Sequence, residues 1–482
     1  MGPSRPPDRR ALLALGGTLS LRGVLPALLA GRPAAERQLG GIAPGYGPLL
    51  PAVDETTGLA LVRLPAGFRY RTFGWNGDPL TGGGTTPSSH DGMGVVARDA
   101  DGIVTLVRNH ERRGQGTPFG PAEARFDARG RGGTTTLRFD TESGLLLESY
   151  ASLGGTSANC AGGPTPWGSW LTCEETLDGP AQGFREPHGW VFEVPASDVG
   201  SGVGSAVPLR ALGRFAHEAV AVDPRSGLYL TEDQRYVSGL YRFRPRARLR
   251  FRGLEAGGRL EMLAVPGLPQ ADLQLAQAGQ VYPVSWVPVA DPELGPQSNV
   301  GPFGSFDGQT RNCSGPFLQG ITAGGARFRR LEGAWHDPYT GLVYFVDTEG
   351  GQRASDTNTP EGALWCYDPA RALLTCLVAS PAQALLDNPD NVTVGPRGGL
   401  ILCEDGDLDG TRLIGVGRDG RAFPFAQNDV VLAGEVNGFQ GDFRGSEWCG
   451  ACFDPGGRWL FANLQSPGIT LAITGPWERG PL

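Results

Sequence analysis

The stretch HEAVAVDPRSGLYLTED, from His217 to Asp233, reads as two short strands around a tight turn. Apolar residues flank Asp-Pro-Arg-Ser-Gly, whose Asp, Pro and Gly end one strand and start the next, and an acidic pair closes the second strand. The pattern recurs along the chain. It appears as GMGVVARDADGIVTLVRNHE (Gly92 to Glu111), NCAGGPTPWGSWLTCEE (Asn159 to Glu175) and EGAWHDPYTGLVYFVDTE (Glu332 to Glu349). Two further copies are DNVTVGPRGGLILCED (Asp390 to Asp405) and CGACFDPGGRWLFANLQ (Cys449 to Gln465). The turn glycines Gly102, Gly168, Gly227, Gly341, Gly399 and Gly457 stand 66, 59, 114, 58 and 58 residues apart. A period near 58 residues is too long for a helical solenoid and suits a four-stranded propeller blade. TTTLRFDTESGLLLES, WVFEVP, LYRFRP and ALWCYDP, rich in aromatic and β-branched residues, are the candidate outer strands.

The expected fold is therefore all-β, a six-bladed β-propeller with inserted loops spanning residues 36–482 as one domain. A seven-bladed ring is the alternative if the 114-residue step hides a degenerate blade. Residues 247–327, rich in Gly, Pro and Gln, form the insertion within that step, expected to cover one end of the ring.

The first strand of each blade lines a propeller's central channel, so one position of the repeat converges on the axis from every blade. At the start of that strand stand Asp91, Cys160, Glu218, Glu332, Asp390 with Asn391, and Glu447. At the end of the second stand Glu111, Glu174 with Glu175, Glu232 with Asp233, Glu349, Glu404 with Asp405, and Asn463. Carboxylates crowded on one axis repel and raise one another's pKa, and cations resolve the conflict. Oxygen donors favour Ca²⁺, whereas a thiolate such as Cys160 among carboxylates favours a transition metal, iron or zinc. Glu232, Asp390, Asn391 and Glu404 are ligand candidates on this reasoning. Arg330, two residues before Glu332, shares its side of an extended strand, and a guanidinium there can grip a phosphate or merely neutralise the acids.

Composition excludes several classes. All 42 basic residues are Arg, so a P-loop lysine, a Schiff-base lysine and a Ser-Lys hydrolase are ruled out. The net charge of -8 gives no footprint for nucleic acid. None of the five His forms an HExxH pair; His217 is either a support for Glu218 or a loop histidine. Eight Cys permit disulfides, and those other than Cys160 are read as buried thiols or disulfide halves. Gly82 to Met93, GGGTTPSSHDGM, precedes no helix and reads as a loop leading into a blade. Residues 1–35 carry Arg9-Arg10 ahead of a weakly apolar run and read as a twin-Arg export signal, with an ordinary Sec signal or a disordered tail as the alternatives. No membrane span is expected in the mature chain, which should be a monomer exported to the periplasm, cell surface or medium.

SSHDGM, LVRNHE, SANCAGGPTPWGSWLTCEE, HGWVFEV, RFAHEAVAVDPRSGLYLTED, FRRLEGAWHDP, NPDNVTV and LCEDG together resemble the PhoX family of bacterial alkaline phosphatases, from about Phe68 to Asn463. The resemblance implies a six-bladed propeller, twin-Arg export, and hydrolysis of small phosphomonoesters at a cluster of Fe³⁺ and Ca²⁺. It implies Cys160, Glu175, Glu218 and Glu332 as ligands and Arg330 as the residue holding the substrate phosphate, with no protein nucleophile. A calcium-dependent lactonase or phosphotriesterase propeller would need the acids but neither Cys160 nor Arg330. A non-catalytic propeller would use calcium for stability alone.

Overall fold

The computed structural model describes residues 42–196, 206–300, 310–355 and 358–482, so the twin-Arg segment lies outside the described residues. Six sheets are arranged as the blades of a propeller. Blade I holds His90–Arg98, Ile103–His110, Gly132–Asp140 and Leu145–Thr156. Blade II holds Asn159–Pro164, Ser169–Glu174 and Val191–Pro195. Blade III opens with His217–Asp223, blade IV with Leu331–His336, blade V with Pro389–Val394 and blade VI with Trp448–Phe453. Each of these first strands packs on the first strand of the next blade, and Trp448–Phe453 returns to His90–Arg98, closing the ring.

Blades stack face to face, so strands are apolar on both sides rather than alternating. Gly227–Glu232 is buried at every position. One core patch packs Leu171 and Val191 of blade II on Val220, Leu228 and Leu230 of blade III, and similar patches fill the other clefts. The ring is locked by strands from near the start of the described chain. Arg69–Phe73 pairs with Ile469–Thr474 to complete blade VI, while Ala60–Pro65 and Leu49–Val53 extend blade V from Ala422–Asn428.

There is no seventh blade among the described residues. The 114-residue step gives blade III its outer strands Gly258–Ala264 and Ser285–Val289, and Val281–Pro283 the outer edge of blade IV. The rest includes a hairpin, Gln297–Val300 with Arg311–Cys313, and the helix Gly315–Thr322. That helix packs on the two outer strands of blade III, because free strand edges and their apolar faces are what this segment can cover. Its described part runs along the rim of blades III and IV. All eight Cys are buried and free, seven on blade strands and Cys313 in the hairpin.

Candidate metal centre

Every inner strand slips register at the same place. The shift falls between His90 and Met93, Asn159 and Gly162, His217 and Val220, Leu331 and Ala334, Pro389 and Val392, and Cys449 and Cys452. A bulge re-aims side chains out of the normal alternation. Its first residue is Asp91, Cys160, Glu218, Glu332 and Asp390 in blades I to V. Its second residue is Gly92, Ala161, Ala219 and Gly333 in blades I to IV, small because the neighbouring strand is so close. A Cβ on Gly92 would stand 2.6 Å from the Cys160 carbonyl oxygen, and one on Gly333 2.7 Å from that of Asp390. Blade VI departs from the pattern: Gly450, at φ 61°, sits in the bulge, and Glu447 and Cys449 supply its donors.

The result is a continuous run of donor triads, with the ligand atoms of each lying within 4.8 Å of one another. Cys160, Glu175 and Glu218 form one; Glu218, Glu332 and Asp390 the next; Asp390, Asp405 and Glu447 the third; Glu447, Asp91 and Cys449 the fourth. Glu218, Asp390 and Glu447 each belong to two. Burial, and then the charge of their neighbours, raises Asp91, Glu175, Glu218, Glu332, Asp390 and Glu447 well above the usual carboxylate range. Burial and then Glu218 and Glu175 push the Cys160 thiol up likewise. Such a set is stable in ionised form only around cations, and shared carboxylates at these spacings fit a group of ions rather than a single one. The donor chemistry therefore fits metal.

Two guanidiniums border the acids. Arg330 Nη2 lies 2.8 Å from Asp233 Oδ2 and 2.8 Å from Glu332 Oε1, and Nε donates to Asp233 Oδ1 at 3.1 Å. This grip uses one edge of the fork, and Nη1 has no hydrogen-bond partner among the described residues. Arg113, which sequence reasoning missed, pairs with Glu111 and Glu175. Its signal was the same spacing, two residues beyond the acid that ends a second strand. Cys449 was also missed, since a lone thiol within a strand carries no mark of its role.

At the ends of the second strands, the paired acids divide their work. Successive residues of a strand point to opposite faces, so only one of each pair can reach the axis. Glu175, Asp233 and Asp405 do, whereas Glu174, Glu232 and Glu404 turn into the blade. Glu232, expected as a ligand, instead accepts from Ser314 Oγ at 2.6 Å and Tyr241 Oη at 2.5 Å. Glu404, also expected as a ligand, is held by Arg412 Nε at 2.7 Å and Asp387 N at 2.9 Å. Asn391 is likewise committed elsewhere: its Oδ1 accepts from Gly450 N at 2.6 Å and its amide donates to Asp390, which positions that carboxylate. His217 Nε2 lies 2.8 Å from the Gly213 carbonyl and its ring stacks on Phe215, the loop-histidine outcome. Arg412→Ala strands the fully buried Glu404, and a loss of about 3–5 kcal/mol of stability is expected, read by chemical denaturation, with metal content unchanged.

Beneath the acids the channel is stoppered. Met93, Trp170 and Trp335, with the small residues of the bulges, leave only about 20 Å³ of open space on the axis. Arg113 and Arg330 keep part of their side chains in solvent, 56% and 25% exposed.

A profile of the family described as "Alkaline phosphatase PhoX" matches residues 44–145 and 133–468. Among solved structures, Pseudomonas fluorescens PhoX in complex with vanadate, a transition state analogue, is similar at 18% identity. The match covers 91% of this chain and 98% of that one, with a TM-score of 0.60. A gluconolactonase from Xanthomonas campestris is similar at 15% identity over 90% of this chain and 99% of that one, with a TM-score of 0.41. No curated protein sequence matches the chain.

Proposed function

The chain belongs to the PhoX alkaline phosphatase family and is a phosphatase, and from that premise we propose that it hydrolyses small phosphomonoesters at a group of iron and calcium ions held on the propeller axis. The observation that carries the reading is the run of four triads sharing Glu218, Asp390 and Glu447 beside two arginines. Cys160, Glu175 and Glu218 suit iron, because a thiolate with two carboxylates selects a transition metal. Glu332, Asp390, Asp405 and Glu447 offer oxygen alone, which suits calcium. When bound, such ions would neutralise phosphate oxygens and, as Lewis acids toward those oxygens, make phosphorus more electrophilic.

The protein's own part is orientation and charge. Arg330, anchored by Asp233 and Glu332, offers its remaining N–H edge to phosphate oxygens, where a fixed fork is well matched to tetrahedral oxyanions. Asp233 acts through Arg330 by fixing the plane of the guanidinium. Arg113 supplies a second positive charge on the rim, beside the triad of Cys160 and paired with its member Glu175.

The mature chain is proposed to act outside the cytoplasm, as a monomer, after twin-Arg export. Arg9-Arg10 supports this, and no described helix is long and apolar enough to cross a membrane. The test is elemental analysis of protein purified without chelator, combined with turnover of p-nitrophenyl phosphate with and without EGTA. Iron with calcium and EGTA-sensitive turnover is the expected result. Calcium alone, with no phosphatase activity, would overturn the reading.

A further inference from the structure

Outside the axial site, one cavity of about 850 Å³ lies on the same face of blade I, between the loop Asn76–Ser88 and the loop that begins at Arg112. Its size is that of a small-molecule site. Its polar groups are unspent. Arg112 lines it, and the Arg112 Nε is buried with no hydrogen-bond partner. Arg131, close enough for its like charge to be felt, has a buried Nε in the same state. Neither guanidinium enters an ion pair or a hydrogen bond among the described residues, although most arginines bordering the axis do. Thr86, 2% exposed, also lines the cavity, and its hydroxyl has no partner. The only acid in the lining is Glu123, and Phe119 supplies an apolar wall. Buried donors without acceptors are costly, and here two buried Nε groups of neighbouring, partly buried cations are in that state. A ligand that brings an acid group satisfies both conditions at once.

The cavity also adjoins the axial site covalently. Arg112 stands between Glu111 and Arg113, which pair with each other, and its carbonyl accepts from Ala158 N at 3.3 Å, two residues before Cys160. We propose that this cavity is an anion subsite that takes a second acid group, carboxylate or phosphate, on the body of the phosphomonoester. The inference rests on the phosphatase reading and narrows its substrate class to organic phosphates carrying two acid groups.

Glycerol 3-phosphate and 3-phosphoglycerate test it, because they share one phosphomonoester and differ by a carboxylate. For the native protein kcat/KM should favour 3-phosphoglycerate by about 10-fold or more, carried mainly by KM, as expected for a charge-assisted hydrogen bond. Arg112→Gln should erase that preference while glycerol 3-phosphate stays within about twofold, and Thr86→Val should reduce it part of the way. Equal kcat/KM for the two esters in the native protein would overturn the subsite, as would an equal loss on both in Arg112→Gln. Failure to turn over glycerol 3-phosphate or p-nitrophenyl phosphate would instead count against the phosphatase reading.

Discussion

Asp390→Asn is expected to remove more than one ion from the axial site at once and to lower phosphatase turnover by on the order of 10³-fold. Asp390 contributes to two triads, so replacing its carboxylate weakens both positions, whereas Asp91 belongs to one. Asp91→Asn should therefore cost less metal. Elemental analysis of the two variants beside the native protein decides the matter, and equal losses would contradict the shared-ligand geometry. Stability should move in opposite directions with and without cations. In EGTA the native carboxylates repel one another, so the neutral amide should raise the melting temperature. With the ions restored it should lower it, because the ions bind the folded state alone and stabilise it by mass action, by about 4 kcal/mol at a thousand times Kd.

Arg330→Ala is expected to reduce kcat/KM for p-nitrophenyl phosphate by about 10²–10³-fold, the usual cost of removing one preorganised partner of transition-state charge. Inhibition by inorganic phosphate should weaken in parallel, and metal content should stay at the native level. Arg330→Lys keeps the charge but not the planar fork, so it should recover only part of the activity. Loss of metal in either variant would assign Arg330 the other role open to it, neutralising Asp233 and Glu332.

How far the site could be read from sequence depended on local geometry. The recurrence of turn glycines carried the six blades, because each hairpin is contiguous in sequence. The in-phase acids carried Cys160, Glu175, Glu218, Glu332 and Asp390. The residues that the structure places away from the axis have one cause in common. At Glu232-Asp233 and Glu404-Asp405 two acids stand side by side, and which one faces the axis depends on strand parity that adjacent residues cannot reveal. Glu404 was committed by Arg412, eight residues downstream, and Glu232 by Ser314, eighty-two residues away. The six bulges were likewise hidden, since a register slip is a property of two strands rather than one. The outer strands in residues 247–327 lacked a strong pattern because they lie on edges, where partners matter more than alternation.

The pairing of Arg69–Phe73 with Ile469–Thr474 makes the last blade from both ends of the described chain. Loop closure over some four hundred residues comes late in folding and slowly, because its entropy is lost before the contacts form. Donors of the fourth triad stand at residue 91 and residues 447–449, on the two sides of that seam. A nascent or truncated chain lacking the final strand would carry every donor yet leave Asp91 and Glu447 without the pairing that holds the two sides of the seam together. On the proposed metal-bound reading, retention of ions through gel filtration becomes a readout of seam closure in the sample.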